Sequence, residues 1–82
     1  MAQSVEARVS NLIAYELDLD PDDFDESSFL MDDLGADPYE LEELAGLLAE
    51  EFDIEVTEED YESWETVRDI VHFVAEKLQE AE

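Results

Sequence analysis

The chain has 82 residues, room for one small domain with a single core, and carries 27 acidic against 3 basic residues, a formal net charge of −24. That charge repels nucleic-acid phosphates and anionic lipid, so nucleic-acid and membrane partners are excluded, and basic protein surfaces, cations or simple solvation are left as readings of the charge. The absence of cysteine removes disulfides and thiolate metal sites, and without a basic-flanked apolar leader or a run of ~20 apolar residues a cytoplasmic protein is expected.

So high a charge is also a mark of disordered chains, but a 45% hydrophobic share arranged in helical stripes favours one folded domain over residues 1–82. Val5, Val9, Leu12, Ile13 and Leu17 recur at helical spacing behind Ser4, a suitable N-cap, and predict a first helix ending near Asp18. Leu19-Asp20-Pro21-Asp22-Asp23 then breaks the helix, because proline and aspartate favour turns. A long loop from Asp20 to Asp37 follows, with Phe24, Phe29, Leu30 and Leu34 as its expected anchors to the core. Asp18, Asp20, Asp22, Asp23, Asp25 and Glu26 crowd its start. Counted from Asp18, the sixth position is Asp23 rather than glycine and the twelfth is Phe29 rather than glutamate, so weak, nonspecific divalent cation binding is expected and an EF-hand is not.

Asp33-Leu34-Gly35-Ala36-Asp37-Pro38 hands the chain into a second helix. Gly35 suits a positive φ, Asp37 an N-cap, Pro38 the first helical position, and Glu40 the closing residue of a capping box. Leu41, Leu44, Leu48 and Phe52, flanked by Ala45 and Leu47, form the apolar face. Gly46 lies inside this helix at a cost of about 1 kcal/mol relative to alanine, so either a neighbouring helix approaches closely there, the favoured reading, or the helix tolerates the loss. Tyr39 falls on the outer side, where an aromatic ring commonly anchors a partner.

Asp53 to Val56 reads as a short extended link. Thr57 caps a brief acidic helix, and Thr66 with Asp69 forms a capping pair for a final helix on Val67, Ile70, Val71, Val74 and Leu78, running to about Gln79. Tyr61, Trp64 and Phe73 are assigned to the core and its edge. His72 has no serine or cysteine to work with, and the carboxylates are too many for two to be singled out as an acid–base pair, so no enzyme is expected.

The stretch Asp33, Leu34, Gly35, Asp37 resembles the acyl carrier protein signature Asp-Leu-Gly-x-Asp-Ser-Leu, and Ser28-Phe29 resembles the family's upstream Ser-Phe pair with one additional residue before Asp33. The resemblance covers nearly the whole chain. It implies an all-α fold, a small four-helix bundle of acyl-carrier-protein type with one short helix and a long first loop. In that family the signature serine bears a 4′-phosphopantetheine arm; here Pro38 takes the serine's place and Tyr39 the leucine's, so no cofactor is expected.

The family's docking helix is acidic at the positions of Asp37, Glu40 and Glu43. With Tyr39 these form the expected contact surface for a protein with a basic docking patch, a synthase or transferase of fatty-acid or polyketide-type biosynthesis. Glu42 replaces a branched apolar residue of the family, and Leu41, Leu47 and Phe52 are large enough to fill the space that shelters an acyl chain. A monomeric, non-enzymatic module that scaffolds, regulates or blocks a partner is therefore expected. The alternatives are a carrier modified at Ser27, Ser28 or Ser63, and a salt-adapted acidic domain with no carrier role.

Overall fold

Each helix begins where a short polar side chain satisfies its free N–H groups. In this computed structural model, which describes residues 4–80, Ser4 accepts a hydrogen bond from the Ala7 N–H at 3.1 Å and opens α1 (Val5–Leu17). Residues 1–3 and 81–82, included in the single-domain expectation, lie outside the described residues. Asp37 caps α2 (Pro38–Phe52) through a full capping box: the Glu40 N–H donates to Asp37 at 2.8 Å, and the Asp37 N–H donates to the Glu40 carboxylate at 3.2 Å. Thr57 and Asp60 repeat the device for the single-turn helix α3 (Glu58–Glu62). At α4 (Val67–Glu80) the Thr66 N–H donates to Asp69 at 3.0 Å and the Asp69 N–H donates to Thr66 at 3.3 Å.

The result is the expected all-α bundle, with α1 packed on α2 and α4 and the short α3 packed on α2. Val9 and Ile13 of α1, Leu44 and Leu48 of α2, and Val67, Ile70 and Val74 of α4 meet in one core. Trp64 closes its lower edge, with the Phe73 ring edge-on at 5.5 Å between centroids. Arg8 ties α1 to the end of α2: its guanidinium stacks 4.3 Å from the Phe52 ring centroid and reaches the Glu51 carboxylate at 2.9 Å.

The long first loop is held by main-chain bonds to the start of α4. The Leu30 N–H donates to the Glu65 carbonyl at 2.8 Å, the Val67 N–H to Ser28 at 3.1 Å and the Arg68 N–H to Glu26 at 2.9 Å. Phe29 and Thr66 thereby form an isolated antiparallel bridge. A 3-10 turn at Pro21–Asp23 shortens the loop's beginning, with Asp20 accepting from the Asp22 N–H.

Two expectations change. Phe29, read as an anchor, is 48% exposed, whereas neighbouring Leu30 is fully buried. The bridge fixes the strap with alternate residues on opposite sides, so only one of an adjacent pair can enter the core. Gly46 does not mark a close approach: it is exposed, and a Cβ added there meets nothing within 4 Å. The Asp53–Val56 link between α2 and α3 leaves Ile54 and Val56 half-buried.

Candidate functional site

The turn that delivers the chain to α2 is built from the inside. Gly35 sits at φ +74° in the left-handed region, and its N–H donates to the Met31 carbonyl at 3.2 Å. The Ala36 N–H donates to Leu30 at 2.9 Å, while Asp33 folds back to accept from the Phe29 N–H at 2.8 Å. This closed turn presents the first residues of α2 to solvent: Asp37, Pro38 and Tyr39 are all exposed.

The residues expected to contact a partner do not share one job. Asp37 and Glu40 are spent on the capping box, and Glu40 is half-buried. Tyr39 is 65% exposed, yet its hydroxyl donates to Glu43 one turn along at 3.3 Å. The Glu43 charge, with Glu42 and Glu16 behind it, holds the phenol above its usual range, because ionising the ring would add a negative charge to an acidic surface. Glu43 also faces Glu16 on α1. Partial burial first, then a shared hydrogen bond with Glu43 and the charges of Glu43 and Glu40, keep the Glu16 carboxyl above the ordinary glutamate range. The expected set is thus contiguous, with Glu43 and Tyr39 the members whose side chains are not needed to start the helix.

Position 38 is a proline ring at the first residue of the helix. A phosphopantetheine arm needs a hydroxyl, and no side chain at the opening of α2 offers an aliphatic one. Ser27, Ser28 and Ser63, the alternative attachment positions, lie elsewhere and are engaged: Ser27 donates to Asp25 at 2.6 Å, Ser28 accepts from the Asp25 N–H at 3.1 Å, and Ser63 donates to the Asp60 carbonyl at 2.7 Å. The residues present at this turn do not fit the arm.

Two shallow grooves border the turn. The larger, of about 390 Å³, runs between the start of α2 and α3 over Pro38, Tyr39, Leu41 and Tyr61, with Glu42, Glu58 and Glu62 on its rim. The smaller, about 210 Å³, is walled by Phe29, Trp64 and Met31 with Asp32 and Glu65 beside them. Met31 borders both. Sequence reasoning missed Met31, whose exposure depends on the strap's orientation. Leu41 and Phe52 are buried and Leu47 half-buried.

The acidic loop spends several of its carboxylates locally. Asp20 caps the 3-10 turn and Asp25 accepts from Ser27, which holds Asp25 below the usual carboxylate range. Among the described residues no three carboxylates converge as metal ligands. His72 is exposed on α4. No described helix is long and apolar enough to cross a membrane.

Comparison with known proteins agrees with this architecture. Residues 7–74 match the family model described as the phosphopantetheine attachment site. An acyl carrier protein of Bdellovibrio bacteriovorus is 35% identical over 74 residues, which span 90% of this chain and 95% of that protein.

Proposed function

This chain belongs to the acyl carrier protein family, and from that membership we propose that it is an armless member, a non-enzymatic docking module that does not itself carry an acyl group. One observation carries the reading: Pro38 occupies the first position of α2, where the family signature has its attachment serine. Attachment requires a hydroxyl oxygen to attack the pyrophosphate of coenzyme A. A pyrrolidine ring has none, while its fixed φ and missing N–H suit the first helical residue, so the helix keeps its start.

The acidic face around Asp37, Tyr39, Glu40 and Glu43 then works by occupancy. It engages a cytoplasmic synthase or transferase with a basic patch shaped to receive carriers, and scaffolds, regulates or blocks it. Charge steers the encounter, and the Tyr39 ring supplies apolar contact.

Intact mass measurement after incubation with coenzyme A and a broad-specificity phosphopantetheinyl transferase tests the reading. The wild type is expected to keep its mass and Pro38→Ser to gain one arm. A gain by the wild type, mapped to Ser27, Ser28 or Ser63, would overturn it.

A further inference from the structure

Four large hydrophobic residues are prominently exposed among the described residues: Tyr15, Phe29, Met31 and Tyr39. Three of the four wall the two grooves beside the α2 turn, so the exposed apolar surface is gathered on one face instead of scattered. Met31, 51% exposed, stands between the grooves as a shared wall. Its unbranched, flexible side chain suits a surface that adapts to an inserted group.

The rim decides what can lie there. Asp32 and Glu65 flank the smaller groove, Glu42, Glu58 and Glu62 the larger, and no cation lines either. The three basic side chains are occupied elsewhere: Arg8 at Glu51, Arg68 near Glu26 at 3.9 Å, and Lys77 near Glu80 at 3.8 Å. Carboxylate repulsion is felt within the larger groove, where a shared hydrogen bond with Glu58 and then its charge hold Glu62 above the usual glutamate range. A second copy of the chain would bring a further −24 charges, and an anionic lipid or fatty acid would meet the same repulsion. A bare cation would satisfy the rim and leave the apolar walls uncovered.

We propose that Met31 divides a two-groove seat for a basic amphipathic segment of a partner protein, which inserts one apolar side chain on each side of Met31 and sets lysines or arginines against the Asp32, Glu42, Glu58, Glu62 and Glu65 rim. This inference rests on the docking role given above and extends it from α2 across the first loop to Trp64. Specificity comes from the paired anchors, because charge alone would accept any basic chain.

The probe is a synthetic lysine–leucine amphipathic helix of about four turns, compared with a lysine–serine peptide of equal charge. Amide shifts in the labelled protein and emission of Trp64, the sole tryptophan and a wall of the smaller groove, report binding. The leucine peptide is expected to shift Phe29, Met31, Tyr39 and Tyr61 and to bind at least about tenfold more tightly than the serine peptide. Met31→Ser and Tyr39→Ser, both at exposed positions, should each weaken it about fivefold or more, and Tyr15→Ser should leave it unchanged. Equal binding of the two peptides, or indifference to Met31→Ser, overturns the seat. If Glu43→Lys still weakens binding in that case, docking along α2 survives without its extension. If Glu43→Lys also has no effect, both readings fall. Dimerisation of the free protein through these grooves in sedimentation, or their saturation by lauric acid, would assign them to another occupant and overturn the proposal.

Discussion

Replacing Leu30 and Phe29 separately with alanine tests whether the first loop is held by one side chain and a ladder of main-chain bonds. Leu30 is fully buried, so its truncation leaves a cavity among α1, α2 and α4 residues, at a cost of about 2–5 kcal/mol, with 3 a central value. A domain of this length has roughly 4–12 kcal/mol in total, and self-repulsion of −24 charges places it toward the lower end. Leu30→Ala should therefore lower the melting temperature by roughly 12–24 °C. Phe29 already leaves about half its ring in water, so its loss forfeits roughly 1 kcal/mol, and the bridge to Thr66 persists because it runs through the backbone. Urea unfolding followed by far-ultraviolet circular dichroism separates the two, provided the slope with denaturant is unchanged. A Phe29→Ala variant as unstable as Leu30→Ala would refute the one-anchor account of the loop.

Gly46→Ala should stabilise the protein by about 0.5–1 kcal/mol, since the added methyl meets no neighbour and restrains the unfolded chain; a lower urea midpoint would restore the close-approach reading. The pH profile should be humped. Glu6 through its hydrogen bond to Glu26, Glu16 through partial burial and then Glu43, and Glu62 through Glu58 are held above the usual range. Their contribution is fully present below the unfolded value of about 4.3 and is lost as pH rises through the folded values. Asp25, through Ser27, and Asp60, through Thr57, are held below it. Asp69 is raised by burial but lowered further by the backbone donors of Glu65 and Thr66. Stability from these aspartates is present above about 3.9 and is lost as pH falls through the folded values. The urea midpoint should climb from neutral pH toward about 4.5 and drop at lower pH, and added salt should raise it at neutral pH; a midpoint that declines from neutrality toward 4.5 would refute this account of the surface.

Helix starts and stops were legible in the sequence because they are local. Ser4, Asp37 with Glu40, Thr57, and Thr66 with Asp69 act on N–H groups within four residues, and Gly35 takes the positive φ that its residue type permits. The apolar stripes likewise named most of the core, since a helix repeats every 3.6 residues wherever it packs. Pro38 removes the hydroxyl from the carrier signature without reference to any coordinate. The shape of the first loop was not legible in this way, because it follows from bonds between residues 26–30 and 65–68, partners far apart in the chain. That pairing sends Leu30 inward and leaves Phe29 and Met31 exposed. It also sets Met31 beside Tyr39 and Tyr61 along the larger groove, a grouping that no period in the sequence encodes.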